Sequence, residues 1–428
     1  MSTAVRSRPR RATLPRLLPA GGADASLAAH LERYGRLPDL RGEGRALIAA
    51  VEASGLRGRG GAGFPTHLKL TAVAAGRSPV VVANGVEGEP GSHKDSLLMR
   101  INPHLVLDGA AAAAAAVGAS TIMIAVNRSL TSAHASLAGA IAERARAGER
   151  EQFELFAPPD RFVAGEETAL VQWLNGGLAK PAFVPPRPYE QGVRRRPTLV
   201  QNVETLAGIA LIARNGPAWF RELGSAAEPG SMLATLGGAV GRPGIAELES
   251  AGSLRAALER YDGFDEAARA VLVGGYFGTW VPLASALDAP LSEAGLRPLG
   301  ASLGARSLAV LPSVSCGIVE TARVTAYLAD ESAGQCGPCV FGLRAIADAL
   351  GSVAACDADA GTALRRLQRI TPQVAGRGAC AHPNGATRLV ASTLEVFRDE
   401  LAHHLSGHCT ARSFEPVLPI PVARSEWR

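Results

Sequence analysis

The chain has almost no lysine: Lys69, Lys94 and Lys180 are the only three among 44 basic residues, and the rest are arginine. Set beside abundant alanine and glycine, this imbalance marks the compositional bias of a source genome, so the formal net charge of +5 is a weak argument for nucleic acid. Aromatic residues amount to 5% and do not interleave with a basic stripe, so the arginines read as solvated surface and no nucleic-acid partner is expected. Long hydrophobic runs are missing too. The richest apolar stretch, residues 109–116, is alanine rather than leucine or valine and lies between Asp108 and Asn127, which excludes a membrane span. The arginine-rich start (Arg6, Arg8, Arg10, Arg11, Arg16) has neither the apolar segment nor the small-residue cleavage site of a secretory signal, and reads as a flexible basic arm. Six irregularly spaced cysteines are too few for a disulfide framework in 428 residues; they favour metal or redox chemistry in a reducing, cytoplasmic setting.

A chain of 428 residues accommodates about three domains. Residues 1–40 read as the arm with a short helix from Asp24 to Tyr34. Residues 41–228 alternate between the two periodicities: a helix from Glu43 to Ser54, a strand from Pro79 to Ala83, a helix from Leu105 to Val117, a strand from Thr121 to Val126, a helix from Thr131 to Ala147, a strand-like Arg161–Val163 and a helix from Glu166 to Leu174. That order implies a parallel sheet of the α/β Rossmann-like kind, whose ligands sit at the carboxyl ends of the strands. Residues 229–305 give a β-β-α-β unit suited to a small β-grasp module, with strands at Met232, Ile245 and Ala270 and a helix from Ser253 to Tyr261. Residues 306–410 are helical, with segments at Thr321–Tyr327, Gly342–Leu350, Gly361–Ile370 and Thr387–Leu405, and residues 411–428 form a tail.

Chemistry concentrates in five places. Residues 58–63 read Gly-x-Gly-x-x-Gly, where residues without side chains let backbone N–H groups approach an anion and Lys69 adds charge; a plain glycine turn is the structural alternative. After the first strand, Asn84, Glu87 and Glu89 bring an amide and two carboxylates to the sheet edge, where they suit a ring or ribose. Gly165, Glu166 and Glu167 form a second such group, equally well placed as charges against a helix dipole. A third polar group, Gln201 to Thr205, reads alone as a capped helix start. Cys336 and Cys339 form a Cys-x-x-Cys pair with Cys380 as a distant third donor, an iron–sulfur pattern lacking one ligand; zinc and buried free thiols are the competing readings. Cys316, Cys356 and Cys409 show no spacing that marks them as partners.

Taken in order, residues 55–66, 165–170, 197–205 and 331–339 resemble the NADH-binding flavoprotein subunit of respiratory complex I (the F subunit, or flavoprotein 1) and the related diaphorase subunits of NAD-linked hydrogenases and formate dehydrogenases. The resemblance covers roughly residues 45–405. It implies an FMN-binding α/β domain, an SLBB-type β-grasp module and a helical bundle carrying a 4Fe–4S cluster. It further implies an NAD(P)H dehydrogenase in which FMN takes hydride from NADH or NADPH and passes single electrons through the cluster to a small iron–sulfur protein, a ferredoxin-like acceptor or another oxidoreductase subunit. By resemblance, Gly58, Arg59, Gly60, Gly61 and Lys69 face the FMN phosphate and ribityl chain, and Asn84, Glu87, Gly165, Glu166, Asn202 and Thr205 the rest of the flavin. Phe64, Glu89, Phe162 and Glu167 face the dinucleotide, and Cys336, Cys339 and Cys380 hold the cluster.

The chain also departs from the family pattern. Val86 and Gly88 replace an acid and a serine, Ala72 and Arg187 replace two aromatics that help sandwich the adenine, and Ala333 replaces the first cluster cysteine. Each lost stacking partner weakens a dinucleotide by about 1 kcal/mol. The cluster is left with three thiolates, to be a cubane with a labile iron, a three-iron form, or one completed by Ser332, Glu331, His382 or water. Two further functions are therefore compatible with the sequence: a flavoprotein reduced by a ferredoxin, and a redox-inactive scaffold.

Overall fold

A computed structural model describes residues 13–19, 24–422 and 426–428. Four strands, β1 (Val80–Gly85), β2 (Thr121–Val126), β3 (Phe153–Phe156) and β4 (Thr198–Asn202), form a sheet in the order β3-β2-β1-β4, with every neighbouring pair parallel. The valine run of β1 is buried on both faces, as a sheet covered by helices on both sides requires. The alanine stretch finds its purpose here. It lies on the helix Pro103–Val117, which packs so closely on the helix Val203–Phe220 that a Cβ on Gly109 would stand 2.0 Å from the Leu206 carbonyl oxygen. Small residues permit that approach; leucine would hold the two backbones apart.

The second sheet contains β5 (Ser231–Gly238), β6 (Gly244–Glu249), β7 (Ala270–Val273), β8 (Thr279–Pro282) and β9 (Ser307–Val310) in the order β6-β5-β9-β7-β8. Only β5 and β9 pair in parallel. Its apolar core includes Met232, Leu236, Val271 and Leu308 against Leu254 and Leu258 of the helix Leu254–Arg260, which Ser253 caps through the Ala256 N–H. Beyond β9 come helices Gly317–Asp330, Arg344–Ala354, Ala360–Val374, His382–Val396 and Arg398–Leu405, packed around Ile318, Leu343, Ile346, Leu350, Leu367 and Leu389. Trp280 of β8 ties this group to the second sheet, donating its indole N–H to Thr321 Oγ1 at 2.9 Å.

Several expectations are corrected. Residues 161–163 form a turn, not a strand, because Phe162 N–H is held by Glu331 rather than by a neighbouring strand. The helix expected across 387–405 breaks at Phe397, whose φ of −103° and ψ of 35° leave the helical region. Strands β3, β4, β8 and β9 were not anticipated; each is short and pairs with strands that lie elsewhere in the chain. The basic arm is docked where it is described. Backbone N–H groups of Arg16, Leu17 and Leu18 donate to the Glu247 carboxylate, and the Arg16 guanidinium lies 3.9 Å over the Trp219 ring. The arm's other arginines, Arg6 to Arg11, lie outside the described residues.

Candidate functional site

The chain steps outward from β1 to β2 and β3 and then crosses back to lay β4 on the other side of β1, so the strand order reverses between β1 and β4 and their carboxyl ends border a crevice where open α/β sheets take their ligands. Asn84 and Asn202 are register partners at that edge. Asn84 Nδ2 donates to the Gly165 carbonyl at 2.8 Å, which draws the loop 162–167 onto the loop 85–89. Glycine makes the approach possible, since a Cβ at Gly88 would meet Phe162 O at 2.2 Å and one at Gly165 would meet Val86 O at 2.4 Å. The Gly88 departure from the family pattern is thus matched by the close seating of Phe162.

The glycine loop is closed at its base by Gly58 N–H to Phe64 O at 2.8 Å and Thr66 N–H to Leu56 O at 3.1 Å. Gly61 has φ of 114°, which side chains rarely tolerate, and a Cβ on Gly60 would press on Asn202 Cβ at 3.2 Å, so this loop lies against the end of β4. Arg59 points away from it. Its guanidinium is buried against Ser231 O and Ser250 Oγ, its N–H donates to Thr205 Oγ1 at 2.8 Å, and burial depresses its pKa to about 10. Lys69 does reach the crevice, pairing with Glu167 at 2.7 Å and donating to Val200 O at 3.2 Å, and both side chains remain 27% exposed.

Other residues of the crevice also hold the backbone. Asn202 caps the helix Val203–Phe220, accepting from Glu204 and Thr205 N–H, and Glu87 caps the helix Lys94–Ile101, accepting from Asp95 and Ser96 N–H. Glu166 caps the helix Glu167–Leu174 through Thr168 and Ala169 N–H, and burial raises its pKa. Glu89 accepts N–H bonds from Tyr276 and Gly91, while burial pushes its pKa up to about 7. Phe162 packs against Phe277 with the ring centroids 4.8 Å apart and the planes tilted by 57°, and Phe64 stands 48% exposed.

Beneath the crevice lies a network that the sequence did not reveal. Lys94 bonds Asp95 at 2.7 Å and Glu204 at 2.9 Å, with the Lys94 side chain 3% exposed. Burial alone would lower the ammonium pKa, but the two carboxylates outweigh it and hold Lys94 above its usual range. Asp95 in turn accepts from Asn202 Nδ2 at 2.7 Å, which connects the buried charges to the crevice wall. The one available signal was the rarity of lysine.

Cys336, Cys339 and Cys380 line one recess together with Ala333, Gln335, Val163 and His382. Burial pushes the Cys339 thiol up to about 12 and raises Cys380, so both are protonated until a cation stabilises the thiolates. His382 donates its Nε2–H to Leu328 O at 2.7 Å, as it must, since a carbonyl only accepts. Its Nδ1 lone pair is left buried without a partner among the described residues, and burial lowers the ring pKa to about 4. Three thiols and an unpartnered imidazole nitrogen suit an iron–sulfur cluster, and a glycine loop with a cation at a parallel-sheet switch point suits a phosphorylated flavin.

Such a pairing defines an α/β redox protein that joins a nucleotide-type cofactor to a metal cluster. Comparison with known proteins narrows the class. Residues 51–211 match the Nuo51 FMN-binding domain and residues 320–404 the NADH-ubiquinone oxidoreductase-F iron-sulfur binding region. The chain is 32% identical over 401 residues to the NADH-quinone oxidoreductase F subunit 2 of Rhizobium meliloti, covering 90% of this chain and 93% of that one. It is 34% identical over 405 residues to the NADH-quinone oxidoreductase F subunit of Mycobacterium bovis, covering 88% of each. Among solved structures, an NAD+-reducing [NiFe]-hydrogenase in its H2-reduced state superposes with a TM-score of 0.78 at 30% identity, covering 85% of this chain and 63% of that one. The chain belongs to the family of NADH-quinone oxidoreductase F subunits. Among the described residues no helix is long and apolar enough to cross a membrane.

Proposed function

We propose that the protein is a cytoplasmic NAD(P)H dehydrogenase of this family that hands electrons singly to a small iron–sulfur protein or a companion oxidoreductase subunit. The observation that carries this reading is the loop 162–167. Val163 lines the thiol recess, and Glu167 pairs with Lys69 in the crevice. Four residues span at most about 14 Å, so one short segment touches both cofactor sites.

FMN, when bound, accepts the two electrons of a hydride and releases them one at a time to an iron–sulfur centre. The protein's part is to bind, orient and exclude water. Gly60 and Gly61 would present backbone to the phosphate, with Lys69 supplying charge, and Asn84, Gly165 and Asn202 would border the ring. Gly58, Arg59, Thr205, Glu87 and Glu166 would act on the flavin through the backbone they hold. Phe64, Glu89, Phe162 and Glu167 would receive the dinucleotide, with Ala72 and Arg187 offering no aromatic clamp for adenine. Cys336, Cys339 and Cys380 would hold three irons, and His382 Nδ1 is the buried donor best suited to the position that Ala333 leaves open. Residues 229–305 would form the SLBB-type module and residues 306–410 the cluster-bearing bundle, flanked by an arm (1–40), the FMN domain (41–228) and a tail (411–428).

Anaerobic reconstitution with FMN, iron and sulfide, followed by EPR after NADH, NADPH or dithionite, tests the proposal. A reduced-cluster signal with either nucleotide supports it and identifies the donor. A signal with dithionite alone, or flavin bound with no cluster under any reductant, would end it.

A further inference from the structure

The three cysteines without an interpretable spacing meet in space. Cys316 Sγ lies 3.3 Å from His404 Nε2, and Cys316 Sγ, Cys409 Sγ and a ring nitrogen of His404 fall within 4.8 Å of one another. This is a separate place from the thiol recess. Cys316 precedes the helix Gly317–Asp330, and the recess lies past its other end, about 21 Å away along the axis.

The histidine is set as a ligand would be. His404 is buried, and its Nδ1 lies 2.9 Å from Val353 O, so Nδ1 carries the ring proton and Nε2 offers its lone pair toward Cys316. Metal-bound imidazoles are oriented in the same way, with the second ring N–H held by a carbonyl. Cys356 Sγ stands 3.4 Å from Nδ1, at the opposite ring edge, where it supports the ring rather than facing the other two thiols. A tetrahedral zinc ion, with bonds of about 2.3 Å to sulfur and about 2.0–2.1 Å to nitrogen, spaces its donors roughly 3.5–3.8 Å apart, so the group needs to close by only about 1 Å.

We propose that Cys316, His404 and Cys409 bind one zinc ion, with water as the fourth ligand, and that this ion roots the C-terminal tail on the helical bundle. A donor set of two thiolates and an imidazole favours zinc over magnesium or calcium, and binding releases the two thiol protons to solvent without exchange of electrons. The tail has much to anchor. Just past Cys409, Arg412 and Ser413 N–H donate to Val314 O; farther on, Val417 and Leu418 N–H donate to Glu320, and Pro419 O accepts from Tyr276. At its end, Trp427 O accepts from Ala179 N–H at 2.7 Å, and the Trp427 ring lies 4.1 Å from the Arg161 guanidinium. The strap thus runs from the bundle to the α/β region.

Zinc and iron are counted separately by mass spectrometry on the full-length protein purified with its cofactors, for the wild type and for Cys409→Ser. About one zinc per wild-type chain, lost in Cys409→Ser while iron and flavin are retained, is expected. Cobalt exchanged into the zinc site of the wild type would give thiolate charge-transfer and tetrahedral ligand-field bands, a readout that stands even if the variant does not fold. Absence of zinc from the wild type, zinc retained in Cys409→Ser, or a disulfide at Cys409 in a denatured thiol count would each overturn the proposal.

Discussion

The crevice at the sheet edge and the thiol recess in the helical region both suit redox cofactors, and they are built in opposite ways. In the crevice, the wall residues double as structure: Asn202 and Glu87 cap helices, Thr205 receives the Arg59 N–H, and Asn202 reaches the buried Lys94 network through Asp95. In such a cradle of backbone and caps, each of these side chains also holds the fold. A cluster in the recess would rest on a few ligand atoms, and there one alanine, Ala333, would remove a quarter of the donor set. Substitutions in the crevice should therefore affect fold and binding together, whereas those in the recess should affect only the metal.

The strongest test of that contrast is Cys380→Ser, expected to abolish the iron–sulfur absorbance and iron content while the stability of the apoprotein stays within about 0.5 kcal/mol of wild type. A large loss of apoprotein stability would break the comparison. Lys94→Ala should do the reverse, lowering stability by about 3–5 kcal/mol in urea denaturation, because Asp95 and Glu204 would be left buried without their cation. Lys69→Ala, at a partly exposed pair, should weaken FMN about 10- to 100-fold in a fluorescence titration, corresponding to the loss of one charge-assisted hydrogen bond.

Within the recess, Ala333→Cys should slow iron release to a chelator and His382→Ala should hasten it; equal rates for wild type and His382→Ala would remove the histidine from the ligand set. The last test is pH. The Glu89 carboxyl is raised from 4.5 to about 7 in the folded state, so the native protein holds a proton that the unfolded chain releases. Stability should fall as pH rises from about 4.5 to 7 and then level off, and Glu89→Gln should flatten that slope in a series of thermal melts.

Much of the fold was legible because its signals are local. The strand Thr121–Val126 and the helices starting near Gly44 and Thr131 follow from apolar spacing within a few residues of one another. Short strands such as Ser307–Val310 were not, since four residues carry too little periodicity and their strand state depends on the neighbours β5 and β7. At the site, the glycine loop and the Cys336–Cys339 pair stood out as motifs. The inward turn of the Arg59 side chain did not, because its partners, Ser231 and Ser250, lie in and beside another sheet.

The sequence by itself determined which chemistry is present: a glycine loop near a lysine, three thiols at iron–sulfur spacing with Ala333 in the fourth place, and no apolar run of membrane-spanning length. Tertiary structure decided which groups meet. Lys94 finds Glu204, the segment from Val163 to Glu167 joins the thiol recess to the crevice, and Cys316 finds His404 and Cys409. The reason is physical. Propensity and periodicity act over a few neighbouring residues, whereas the partners of a buried charge or a thiol are chosen by how distant segments pack, where burial makes an unmatched polar group too costly to keep.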